Sequence, residues 1–194
     1  MQQQEHNAVS SSRSASEAQT HVCPSKRPSQ AQTVYLGLGA NLAEPIEQLR
    51  SAVQWLSRQP LLKVINTSSI YSNPAVTLDG SDSQDEYFNA VIAVQTLLSA
   101  DELLALIMQC EAEHGRVRST RWAARELDID LLDYPQIVQL DPKLTLPHPE
   151  IARRLFVLQP WADIDPEHRL ATGQRIKDLL DACDEHEMCQ LEKL

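Results

Sequence analysis

Cysteine is scarce in this 194-residue chain, and the four present, Cys23, Cys110, Cys183 and Cys189, form no CxxC spacing. That excludes a zinc ribbon and is too few for the disulfide framework of a small secreted domain, so they are read as reduced thiols. No apolar run approaches the roughly 20 residues that a bilayer-spanning helix needs, so a soluble protein is expected. The chain has no GxxxxGK[ST] phosphate loop and no HExxH zinc motif, and His114, His168 and His186 are read as surface histidines. Gly37-x-Gly39 lacks the third glycine of a dinucleotide fingerprint, because Leu42 stands in its place. The first 32 residues contain no aromatic residue, Leu or Ile. They cannot bury enough apolar surface to offset ordering entropy, so a disordered polar tail over 1–32 is expected. The same tail lacks the apolar stretch of a signal peptide and carries Glu5 and Glu17, unlike a mitochondrial presequence, which leaves the cytoplasm as the expected location.

Basic charge is also in deficit, with 17 Lys and Arg against 27 Asp and Glu for a formal net charge of −10. This argues against a nucleic-acid binder and, with no membrane signal, leaves small molecules as the expected partners of a monomer. The few cations are clustered, however. Arg116, Arg118, Arg121 and Arg125 share a stretch without an acid, and Arg153 and Arg154 follow, which suggests one specific anionic ligand.

The full chain is 42% hydrophobic, and the rest, 33–194, has room for one ordinary domain. Residues 33–39 read as a buried first strand, and Ile46, Leu49, Val53 and Leu56 recur at helical spacing after Pro45. Residues 61–71 read as a second strand, 72–86 as a long loop and 87–97 as a third strand. Ser99 and Glu102 form a capping box for a helix ending at Gly115, and 127–134 read as a further strand, with 137–140 returning as a short partner. A short helix near 150–154 and a final one around 174–183 complete the pattern. The order β-α-β-β-α-β predicts an α+β, ferredoxin-like core in which an antiparallel sheet is flanked by helices.

Within 127–134, Asp128 and Asp130 point to one face of the strand while Leu127, Ile129 and Leu131 point to the other, with about 6–7 Å between the carboxylate-bearing Cβ atoms. An isolated D-x-D is more often a solvated strand face than a metal site. The arginine cluster immediately upstream reverses that balance, since guanidinium groups bind phosphate oxygens and paired carboxylates suit Mg²⁺ shared with phosphates. Trp122 in the same polar loop needs something to cover. A Mg²⁺-dependent phosphoryl-type transfer with a two-metal clamp is the expectation.

The segments GAN (Gly39, Ala40, Asn41), SSIYSNPAV, EYFNAV, EAEHGRV, RWAARELDIDLL and LPHPEIARRLFVLQP, in this order, resemble the 6-hydroxymethyl-7,8-dihydropterin pyrophosphokinase family of folate biosynthesis over residues 33 to about 180. The resemblance implies transfer of pyrophosphate from ATP, the co-substrate, to a pterin alcohol, with two Mg²⁺ ions held by Asp128 and Asp130. It implies a pterin stacked between Tyr87 and Phe156 beside Trp122, its edge read by Asn89, with Asn73, Pro74 and Val76 lining the loop. Arg116 and Arg125 are the implied catalytic arginines, and Glu111, Arg118, Arg121, His148 and Arg154 the implied ATP contacts. Nothing nominates a general base, which suits a reaction driven by positioning and electrostatics. The loops 72–86 and 115–125 are expected to close over the substrates.

The chain departs from the family where Trp122-Ala123-Ala124-Arg125 replaces WGPR and where Ala40 replaces Ser. Two alanines remove conformational restraint and permit helix. An RNA-binding module of the same fold pattern would need an RNP1-like run with aromatics on the third strand and a basic sheet face, and 87–97 with the net charge supplies neither. A weakened, regulatory paralogue would fail to form AMP.

Overall fold

Strand β1, Gln32–Ala40, buries Val34, Leu36, Leu38 and Ala40 on one face and turns Tyr35, Gly37 and Gly39 to the other. The structure, a computed structural model, describes residues 25–42, 44–73, 86–115, 127–183 and 188–194. Helix α1, Pro45–Ser57, has Pro in its first turn, where a missing N–H costs no helical bond, and packs Leu49, Ala52 and Leu56 onto β1's buried face. Strands β2 (Leu62–Thr67), β3 (Ser69–Asn73) and β4 (Tyr87–Thr96) follow, then helix α2, Ala100–Glu113. The Ser99–Glu102 capping box is formed at the start of α2, and Gly115, at φ 85°, lies just past its end.

After α2 come β5 (Asp128–Asp133), β6 (Gln139–Asp141), β7 (Leu144–Leu146), a 3-10 turn at Ile151–Arg153, α3 (Leu155–Ile164), α4 (Ile176–Asp181) and β8 (Cys189–Lys193). The main sheet has the order β5-β1-β4-β3-β8, with β2 also beside β4, and its pairings are antiparallel. With β2 and β3 counted as one interrupted strand, this is the expected βαββαβ core.

The single strand expected over 61–71 is broken at Ser68. There the Val91 N–H donates to Ser68 Oγ at 2.9 Å, and Ser68 Oγ in turn donates to the Ser69 carbonyl at 2.6 Å. A side chain taking a ladder bond shifts the register, as in a bulge. Among the described residues, 137–140 do not return to the main sheet either; β6 pairs with β7 in a separate hairpin.

Helices α1 and α2 cover one sheet face. Part of the other face, Tyr35, Val91, Ala93 and Leu132, lies under Val157, Leu158 and Trp161 of α3 and Ile176 of α4. The end of α3 is tied down by Tyr35 Oη, donating to Asp165 at 2.5 Å, and Tyr71 Oη, donating to Asp163 at 2.9 Å. His168, expected at the surface, is instead largely buried: it stacks on Trp161 at 5.3 Å and meets the buried Asp133 carboxylate at 2.9 Å. A buried carboxylate needs such a partner. Among the described residues no helix is long and apolar enough to cross a membrane.

Candidate functional site

Residues directly opposite in adjacent strands share a face, so the sheet register decides what stands beside the two aspartates. Gly39 lies opposite Asp128 on one side and Asn89 on the other, and Asn89 lies opposite Tyr71. Gly37 lies opposite Asp130 and Val91. Gly39 therefore leaves a trough floored by backbone between the carboxylates of β5 and Asn89 on β4, while the Leu132 side chain covers Gly37. A Cβ added at Gly39 would stand 3.2 Å from Asn89 Oδ1, and one at Gly37 3.3 Å from Leu132 Cδ2. The G-x-G pair thus has a structural purpose unrelated to dinucleotides. Two glycines inside a strand were the available signal, since they mark close approach; their partners were not readable without the register.

Asn89 is only 7% exposed, and its Nδ2 donates to Asn73 Oδ1 at 2.6 Å. Asn73 is itself opposite Tyr87, which is half-buried. Three of the residues expected on the acceptor side are thus brought together at one end of the β3–β4 pair. Pro74, Val76 and Trp122 lie outside the described residues.

Across the trough, Asp130 Oδ2 lies 3.4 Å from Arg154 Nη1 and 3.9 Å from His148 Nε2. His148 is held by its own backbone, whose N–H donates to the Leu132 carbonyl at 2.7 Å and so docks the segment after β7 on β5. Its Nδ1 accepts the Glu150 N–H at 3.3 Å, which leaves the ring proton on Nε2, facing Asp130. Burial pushes the imidazole below its ordinary pKa; Asp130, Glu150 and Asp128 oppose that, while Arg154 reinforces it. Burial thus favours the neutral form of the ring. Arg154 precedes α3, and its guanidinium stands 5.5 Å from the ring centroid of Phe156 in the helix's first turn. One helix start thus supplies both a cation beside Asp130 and an aromatic ring.

Glu111, expected as a nucleotide contact, is 4% exposed in the last turn of α2 and accepts the Ile129 N–H at 2.8 Å through Oε1. Arg116, Arg118, Arg121 and Arg125 lie outside the described residues, as does most of the two loops expected to close. Among the described residues no group of three or more His, Cys, Asp and Glu side chains could hold a metal ion unaided. A pair of hard carboxylate oxygens beside an open trough suits a divalent ion such as Mg²⁺, which keeps waters and takes further oxygens from phosphate.

The family model for 7,8-dihydro-6-hydroxymethylpterin-pyrophosphokinase (HPPK) matches residues 35–166. Over 152 residues the chain is 38% identical to the 2-amino-4-hydroxy-6-hydroxymethyldihydropteridine pyrophosphokinase of Pseudomonas aeruginosa, covering 78% of this chain and 92% of the relative. The Haemophilus influenzae protein of the same name is 36% identical over 159 residues, covering 82% of this chain and 98% of the relative. Among solved structures, an HPPK-DHPS protein in complex with substrates is similar at TM-score 0.60 and 13% identity, over 79% of this chain and 43% of the other. Wild-type Plasmodium falciparum HPPK-DHPS is similar at TM-score 0.58 and 15% identity, over 79% of this chain and 41% of the other. The chain spans less than half the length of those two proteins, and at these identities the likeness is one of fold.

Proposed function

The chain belongs to the 7,8-dihydro-6-hydroxymethylpterin-pyrophosphokinase family, and from that premise we infer that the glycine-floored trough between Asp128 and Asn89 is where its substrates meet. The reaction is transfer of pyrophosphate from ATP to the hydroxymethyl group of 6-hydroxymethyl-7,8-dihydropterin in folate biosynthesis, with AMP released. The observation that carries the location is the register: Asp128, Gly39, Asn89 and Tyr71 form one row across the strands β5, β1, β4 and β3.

On this reading the pterin lies at the Asn89 end. Tyr87 and Phe156 supply flat apolar surface for the heterocycle, and the Asn89 amide, buried and braced by Asn73, offers a donor and an acceptor to its polar edge. Pro74, Val76 and Trp122 would line the same side. Asp128 and Asp130 would hold two Mg²⁺ ions, which when bound supply charge neutralisation on the phosphates. His148, its neutral form favoured by burial, and Arg154 orient the Asp130 carboxylate and face the ATP side. Arg116 and Arg125, with Arg118 and Arg121, would bind the phosphate oxygens and stabilise charge as it builds.

The chemistry these groups serve is an in-line displacement. The pterin hydroxyl oxygen forms a bond to the β-phosphorus as the bond from that phosphorus to the α–β bridging oxygen breaks, AMP carries away the electron pair, and the hydroxyl proton passes to solvent. The chain's share is to hold the two ends in line, which can be worth several powers of ten without a dedicated base.

The test is AMP formation from ATP, Mg²⁺ and the pterin alcohol. Wild type is expected to form AMP only when both the pterin and the cation are present. Asp130→Ala is expected to lose about 10³-fold or more of that turnover with an unchanged far-UV spectrum. Full activity in the variant would refute the role given to Asp130.

A further inference from the structure

A carboxylate at position 111 is unfavourable on two counts. It is 4% exposed, so its charge is largely removed from water, and it sits in the last turn of α2, where the helix dipole repels an anion. Among its contacts, Oε1 accepts the backbone N–H of Ile129, at 2.8 Å.

Ile129 is the residue between Asp128 and Asp130, and β5 is an edge strand of the main sheet. On its inner side β5 is held by β1. On its outer side an edge strand has amides with no ladder partner, free to twist or to be solvated. The Glu111 bond fixes the outer side at the Asp128–Ile129 peptide, between the two aspartates. It also joins the two stems of the intervening arginine-bearing segment, since residues 112–128 lie between its partners in the chain.

We infer that Glu111 is a positioning residue: through the Ile129 amide it sets the spacing and direction of the Asp128 and Asp130 carboxylates, and so the affinity of the site for divalent cation. The inference rests on the reading of those two aspartates as the cation-holding pair. It makes the acceptor oxygen, rather than the negative charge, the feature that matters, because an amide hydrogen bond can be taken by a neutral carbonyl of the same shape.

Glu111→Gln keeps that oxygen, whereas Glu111→Leu keeps the volume and removes it. The experiment measures Mn²⁺ binding by paramagnetic resonance in the presence of a non-hydrolysable ATP analogue, amide exchange at Ile129 by NMR, and pterin affinity, in wild type, Glu111→Gln, Glu111→Leu and Asp130→Ala. Glu111→Leu is expected to weaken Mn²⁺ binding about tenfold and to speed Ile129 exchange, with pterin affinity unchanged, while Glu111→Gln recovers binding to within about threefold of wild type. Glu111→Gln impaired tenfold or more would overturn the inference in favour of a role for the charge, and this arm stands even if Glu111→Leu does not fold. A folded Glu111→Leu with wild-type Mn²⁺ binding would also overturn it, provided Asp130→Ala loses binding. If Asp130→Ala binds Mn²⁺ like wild type, the reading of the aspartates is what has failed, and the inference with it.

Discussion

Gly39 works by what it omits. Its neighbours across both strand pairs, Asp128 and Asn89, face the same way, and a methyl group between them would stand 3.2 Å from Asn89 Oδ1. That contact is too short to be tolerated unless the amide moves by a few tenths of an ångström. The amide is braced by its bond to Asn73, so movement costs that bond or its alignment. Gly39→Ala is therefore expected to raise KM for the pterin about five- to tenfold, the equivalent of about one hydrogen bond, with KM for ATP little changed. Unchanged steady-state pterin kinetics in this variant would show that Asn89 does not read the heterocycle. Asp128 and Asp130 were legible in the sequence because strand alternation alone puts them on one face. Asn89 facing the trough, and the trough itself, were not, because they depend on which residue of one strand lies opposite which of another. Glu111 was legible as an acidic residue of interest, but its burial and its amide partner follow from tertiary contact alone.

At the scale of elements, α1, α2 and the strands of the core were readable from hydrophobic period and capping chemistry, whereas α3 and β8 were not. Pro160 lies inside α3, where its missing N–H argues against a helix, and Val157, Leu158 and Trp161 are buried beside it. Tertiary packing overrides the local signal there. Strand β8 is exposed along its whole length and so offers no alternation to read. The missed helix matters to the site, because Arg154 and Phe156 stand at its start while its far end is anchored through Tyr71 and Tyr35. The Tyr71 hydroxyl is pushed up to about 12 by burial and by its bond to Asp163, so it remains a donor across the physiological range. Tyr71→Phe removes that donor and leaves Asp163 facing a ring edge. The expected cost is about 1–2 kcal/mol of unfolding free energy in urea titrations, with the slope unchanged. A loss below a few tenths would mean that the Tyr71–Asp163 bond adds nothing to the hold on α3.

The whole molecule carries ten more formal negative charges than positive ones, so its stability against acid mixes relief of repulsion with loss of particular bonds. One long-range bond separates the two effects. Arg27, ahead of β1, pairs at 2.8 Å with Glu102 in the first turn of α2, 75 residues away. Arg27 is the largest cause, and the Ser99 N–H the next, of Glu102 being held down to about 2, below the ordinary 4.5. Because the folded value is the depressed one, the stabilisation is complete above the unfolded value near 4.5 and fades as pH falls through about 2. Both side chains are exposed, so the effect is small and weakened by salt. Comparing wild type with Arg27→Ala cancels the general repulsion nearly in full, since the two differ by a single charge. The variant is expected to melt slightly lower at pH 7 in low salt, and the gap is expected to close both at pH 2 and in 1 M salt. Because Ser99 and Glu102 keep their capping box in the variant, α2 itself should stay intact. A gap that persists at pH 2 would instead assign the stabilisation to the packing of the arginine stem rather than to its charge.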